Sequence, residues 1–212
     1  MTGSANMTDN LPVKPAQPGT RRPARSAAPH FNRGEMHRRQ GRLQPAIEAY
    51  RLAVDIAPDN AYYRYRLGDG LAAAGQVNEA IEQLAEASRI LPDDSFYRFR
   101  LGDLYTRAGR PLDAIGAMHF AVHLTPCDAY YNVRLGMLYL QVSLLNEAAD
   151  ALKRAVHLAP ENASYHALLG DAYVRLGFER EALIHYRNAG KLDAYDSQIV
   201  DRVRRLIPSD YQ

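Results

Sequence analysis

A period of 34 residues constrains this chain more than any other property it has. Glycine recurs at 34, 68, 102, 136 and 170, and alanine at 53, 87, 121, 155 and 189. Self-similarity at this spacing predicts a small helical unit that cannot bury its apolar face alone and so stacks on its neighbours. In such an array each unit touches only the next, and the working surface is the one that stacking creates.

With slot one at 27, 61, 95, 129 and 163, the units are 27–60, 61–94, 95–128, 129–162 and 163–196. Each reads as a leading helix rich in Tyr and Arg, a turn, and a second helix ending before a proline. Glycine in slot eight lets the two helices of a pair approach closely. Ala46, Ala80, Ala114, Ala148 and Ala182 in slot twenty are expected to face it; a larger side chain there overpacks the contact by roughly 1–3 kcal/mol. Gly41, Gly75, Gly109 and Gly177 suit the turn between the helices, where a positive φ costs glycine little. Ser143 holds that slot in the fourth unit, so its turn is expected to be the most strained. Pro58, Pro92, Pro126 and Pro160 end the second helices, since proline cannot donate the next helical hydrogen bond.

These slots carry a family resemblance. Leucine and glycine are followed by Leu71, Tyr105, Tyr139 or Tyr173, then by alanine, by a bulky Tyr50, Leu84, Met118, Leu152 or Tyr186, by alanine and by proline. The order resembles the tetratricopeptide repeat over residues 27–196. It implies an all-α fold: a right-handed superhelical solenoid of antiparallel helix pairs. The fourth slot, often tryptophan in that family, departs from the pattern with His30, Arg64, Arg98, Asn132 and His166.

Both ends of the array are also readable. Ile199, Val203 and Leu206 recur at helical spacing and Arg204 stands where a repeat needs glycine, which predicts a capping helix over 197–207 and a short tail at 208–212. Residues 1–26 are rich in Pro, Ser, Ala and Gly and read as a disordered tail with no apolar signal region. There Lys14, Arg21, Arg22 and Arg25 against Asp9 give +3, leaving −1 of the total +2 for the rest of the chain. A second basic cluster, Arg33, His37, Arg38, Arg39 and Arg42, continues the tail; it reads as a solubilising end or as attraction for an acidic partner.

Composition limits the functional classes. With 47% hydrophobic and 24% charged residues the chain is an ordinary folded one. The uncharged run Leu135 to Asn146 is too short to span a membrane, although association with a membrane complex stays open. A lone Cys127 rules out an internal disulfide framework, and with no visible export signal the expected location is cytoplasmic. His119 and His123, with His157 one repeat later, lack the further ligands a metal site needs, and no phosphate-binding loop or hydrolase motif occurs. No enzyme activity, cofactor or metal is expected.

The resemblance places the concave groove on slots two, five, nine, twelve and thirteen, helped by slot six. That gives Tyr62, Tyr65, Arg66 and Asp69; Phe96, Phe99, Arg100, Asp103 and Arg107; and Tyr130, Val133, Arg134, Met137 and Leu140. Aromatics there supply contact area at low entropic cost. Slot-three Tyr63, Tyr97, Tyr131 and Tyr165 are expected to fill space between repeats, and slot-five rings to meet a partner. Arg66 with Asp69 and Arg100 with Asp103 are three apart, and Asp103 with Arg107 and Asp171 with Arg175 four apart, so they read as local ion pairs. The other reading is an arginine ladder open to a partner's carbonyls or carboxylates. Met137, Leu140 and Gln141 turn the fourth unit apolar. The lysine and asparagine clamp of chaperone-binding members is replaced by Phe31, Tyr65, Glu35 and Asp69, which argues against capture of a chaperone C-terminus.

The expected role is a non-catalytic protein–protein interaction module, a scaffold or assembly factor gripping a protein or peptide segment. A self-associating scaffold, and hence a homo-oligomer, is the alternative. Single-stranded nucleic acid is third, disfavoured by the near-neutral body and the acidic ninth slots.

Overall fold

The computed structural model describes residues 26–192 together with Asp201, Arg202 and Arg205. The expected N-terminal tail, Ser26 apart, and most of the capping helix at 197–207 lie outside the described residues, although Asp201, Arg202 and Arg205 are helical. Ten helices follow one another, with no strand among the described residues. The leading helices are α1 (Ala28–Arg39), α3 (Ala61–Ala73), α5 (Ser95–Arg107), α7 (Ala129–Gln141) and α9 (Ala163–Leu176). The second helices are α2 (Leu43–Ile56), α4 (Val77–Ile90), α6 (Pro111–Leu124), α8 (Leu145–Leu158) and α10 (Glu179–Leu192). Each helix packs chiefly on those before and after it in the chain, giving the solenoid of helix pairs.

Local chemistry sets the helix starts. Asn60, Asp94, Asp128 and Asn162 cap four of the five leading helices, each side chain accepting from a backbone N–H of the first turn. These caps are slot 34 of the preceding unit, so each repeat supplies the first bond of the next. The turns inside each pair have φ between 69° and 82° at Gly41, Gly75, Gly109 and Gly177. Ser143 is forced into the same region at φ 62°, the lone non-glycine there among the described residues. Arg175 of the next repeat donates to the Ser143 hydroxyl at 3.0 Å and to the Leu140 carbonyl at 2.6 Å, bracing that turn.

The close approach at slot eight involves a different neighbour from the one expected. A Cβ on Gly102 would sit 2.9 Å from Met118 Cε, on Gly136 2.7 Å from Leu152 Cγ, and on Gly34 2.6 Å from the Tyr50 ring. The bulky slot-24 side chain lies over the glycine, while slot-twenty Ala80, Ala114 and Ala148 come near through their carbonyl oxygens. Their own side chains are wholly buried. The core runs along the array without a break in kind: Tyr50, Leu71 and Leu84 in the first units, then Met118 and Leu135, then Leu152 and Leu169.

The unusual fourth slot does a job of its own. Arg64 Nε donates to the Pro58 carbonyl at 2.7 Å, Asn132 Nδ2 to Pro126 at 3.0 Å, and His166 Nε2 lies 3.0 Å from the Pro160 carbonyl. In each case a polar group replaces a packing ring and ties down the chain entering its repeat.

Candidate functional site

The leading helices bring the expected slots together on one face, but divide them by burial. Tyr62, Phe96, Tyr130 and Met137 are exposed, at 46%, 38%, 48% and 45%. Phe99 and Val133 are buried, at 6% and 3%, which corrects their assignment as partner contacts. The reason is geometric. A slot-five side chain points at the next leading helix, where slot-three tyrosine covers it. Phe31 stacks on Tyr63 at 4.5 Å and Phe99 on Tyr131 at 4.6 Å, and Tyr65 meets Tyr97 edge-on at 6.2 Å. The slot-two rings continue this run outward: Phe96 packs on Tyr65 at 4.9 Å and Tyr130 on Phe99 at 5.4 Å. Tyr130 is therefore backed by the buried Phe99, and Tyr62 and Phe96 by the half-buried Tyr65.

The charged slots form a ladder between repeats, which corrects the expected pairing within helices. Arg66 reaches Glu35 at 2.6 Å, Arg100 reaches Asp69 at 2.9 Å, and Arg134 reaches Asp103 at 2.6 Å. Slot six of one unit thus pairs with slot nine of the unit before. Arg100 also lies 3.8 Å from Asp103, the remnant of the expected local pair. Arg107 is spent on the Ala72 carbonyl at 2.8 Å, the same bond that Arg175 makes to Leu140 two boundaries further on. The physical cause is the stacking distance. Neighbouring leading helices lie nearly side by side, so a long guanidinium reaches a carboxylate on the next helix in better geometry than one a turn away.

Burial and hydrogen bonding tune these groups. Burial pushes the Asp103 carboxyl above its usual value, and the surrounding Arg134, Arg100 and Arg107 offset it only in part. Burial also raises Glu35, but the Tyr50 hydroxyl at 2.5 Å, Arg38 and Arg66 more than offset it and hold the carboxyl below its usual value. The Tyr50 phenol is pushed up to about 12 by burial and by donation to Glu35. Burial and the bond to Asp171 at 2.6 Å raise Tyr186 in the same way. The Glu35 shift favours its paired, ionised form and the tyrosine shifts favour their donating, neutral forms, whereas the Asp103 shift opposes the ionised form that pairs with Arg134.

Clefts open along this face, two of them rich in arginine. One of about 270 Å³ lies between the second and fourth units and gathers Tyr65, Asp69, Arg100, Asp103, Arg107 and Arg134. The other, of about 420 Å³, lies at the far end against Leu140, Val174, Arg175 and the C-terminal arginines. Among the described residues no group of three or more His, Cys, Asp or Glu side chains could hold a metal ion, and no helix is long and apolar enough to cross a membrane.

Solved structures share this architecture. A crystal structure of MamA protein superposes with a TM-score of 0.74 at 22% identity, covering 81% of this chain and 94% of that one. MamA from Desulfovibrio magneticus RS-1 gives 0.72 at 22% identity over 81% and 97%. YrrB, described as a TPR protein with an unusual peptide-binding site, gives 0.73 at 19% identity over 85% and 92%. At these identities the likeness is one of fold. No curated protein sequence matches. The tetratricopeptide repeat pattern matches residues 61–200 and, separately, 27–60. With most of its length matched and five helix pairs in register, the chain belongs to the tetratricopeptide repeat family.

Proposed function

We propose that this protein is a non-catalytic interaction module that grips an extended segment of a partner protein along its leading helices. The observation that carries the reading is the row Tyr62, Phe96 and Tyr130, one exposed ring in each of the second to fourth repeats, each backed by another ring, half-buried at Tyr65 and buried at Phe99. Rigid exposed aromatics in a regular row favour binding because little side-chain entropy remains to be lost. The arginines beneath them contribute support. Arg66 and Arg134 donate to the Tyr62 and Tyr130 hydroxyls at 3.4 Å and 3.1 Å, and their charges are already met by carboxylates. Peptide binding in YrrB, a protein of the same fold, is consistent with this use.

The test is photo-crosslinking from a benzophenone amino acid placed at Phe96 or Tyr130, with Phe120 and Leu112 on a second helix as controls. Crosslinks to one partner segment from the first pair alone support the reading. Crosslinks from the control pair alone overturn it.

A further inference from the structure

The ladder of opposite charges has two irregular places, separated by one regular rung. Slots nine and six at the fourth boundary hold Met137 and Leu168, so that rung is apolar. The pattern then resumes: Asp171 meets Arg202, slot six of the register continued past the fifth unit, at 3.4 Å. The following slot nine, acidic at Glu35, Asp69, Asp103 and Asp171, is Arg205. Arg205 is exposed and has no ion-pair partner among the described residues. The cleft of about 420 Å³ against these residues thus carries three guanidinium groups, Arg175, Arg202 and Arg205, facing one carboxylate. That carboxylate, Asp171, is already engaged by Tyr186 and Arg202. Asp201, one turn back from Arg205, does not line the cleft. Leu140 and Val174 add an apolar part to the wall, the latter 39% exposed.

Resting on the groove reading above, we infer that this end of the groove takes an acidic peptide segment carrying an aliphatic anchor. An Asp or Glu side chain of the partner supplies the carboxylate that the ladder lacks at Arg205. A neighbouring aliphatic side chain covers Leu140 and Val174 beside the exposed Met137. Charge complementarity selects the carboxylate, since each earlier arginine of slot six already has one and Arg205 has none. Leu140 and Val174 select the anchor, because a charged side chain set against them would be desolvated without a partner.

Fluorescence anisotropy with a short labelled peptide of alternating Asp and Leu, its C-terminus amidated, tests the inference on the full chain. The Asp/Leu peptide is expected to bind about tenfold or more tightly than its Asn/Leu counterpart, with affinity falling as salt is raised. Arg205→Glu, on an exposed position, is expected to cost about tenfold, and Val174→Asp to weaken the same peptide comparably. Equal binding of the Asp and Asn peptides, or an unchanged affinity in a folded Arg205→Glu protein, overturns the acidic assignment. So does binding that appears only when an Asn/Leu peptide carries a free C-terminal carboxylate. Each of these results leaves the crosslinking test of the groove standing, so the two readings fail separately.

Discussion

Arg100 reaches back across a repeat boundary to Asp69 at 2.9 Å, although Asp103 stands on its own helix one turn on, at 3.8 Å. The preference makes the charged slots part of the joint between repeats. A double-mutant cycle on Arg134 and Asp103, the next such pair, is expected to give a coupling of about 0.5–1 kcal/mol in urea unfolding. The same cycle on Arg110 and Asp113, a local pair about half exposed on both sides, is expected to give nearly none. Equal couplings would remove the distinction.

Burial separates stability from binding. Phe99→Ala is expected to destabilise the protein by about 3 kcal/mol, since a buried ring is lost from between two repeats. Tyr130→Ala, on an exposed ring, is expected to cost under about 1 kcal/mol while weakening partner capture. Thermal melts alongside pull-down of the crosslinked partner distinguish the two effects.

The turn at Ser143 predicts a gain. A left-handed serine costs roughly 1–2 kcal/mol, while its exposed bond from Arg175 returns less than about 1 kcal/mol. Ser143→Gly is therefore expected to stabilise the chain by about 0.5 kcal/mol, and Gly177→Ala to destabilise it by about 1 kcal/mol. Chemical denaturation of both variants would show opposite shifts of midpoint.

A histidine pair makes the last repeat sensitive to acid. His166 Nδ1 and His185 Nδ1 lie 3.0 Å apart, and with His166 Nε2 turned to the Pro160 carbonyl the shared bond needs His185 as donor. Burial, then His166 and Lys153, lower His185 below its ordinary value of 6.5. The unfolded chain therefore takes up this proton first as pH falls, and stability declines from about pH 6.5 downward until the folded group also titrates. Melting temperature is expected to fall between about pH 7 and about pH 5, and to fall less in His185→Gln, which keeps a donor without the titration. Parallel slopes in the two proteins would assign the acid sensitivity elsewhere.

What the sequence shows and what it hides divide along physical lines. The period, the turn glycines and the prolines are properties of one chain segment, so they are legible; Ser143 was marked as strained and does adopt φ 62°. The exposure of slot two, at Tyr62, Phe96 and Tyr130, also follows from register. Partners 31 residues apart, such as Arg100 and Asp69, cannot be read from helical spacing, which favours pairs three or four apart. For the same reason Phe99 looked available. Its burial depends on Tyr131 of the next repeat, and a helix read alone does not show what stands beside it. The caps Asn60, Asp94, Asp128 and Asn162 do carry a sequence signal, a polar residue just before each leading helix.

The apolar rung at Met137 and Leu168 makes the units non-interchangeable. If the fifth unit were grafted directly after the third, Leu168 would be set against Asp103 and strand a half-buried carboxylate. Duplication of the fourth unit would put Arg134 opposite Met137, again without a counter-charge. The first three seams share one Arg–carboxylate chemistry and only the fourth asks for an apolar successor, so that seam fixes where the fifth unit stands, and arrays shuffled across it would be expected to unfold first at the mismatched joint.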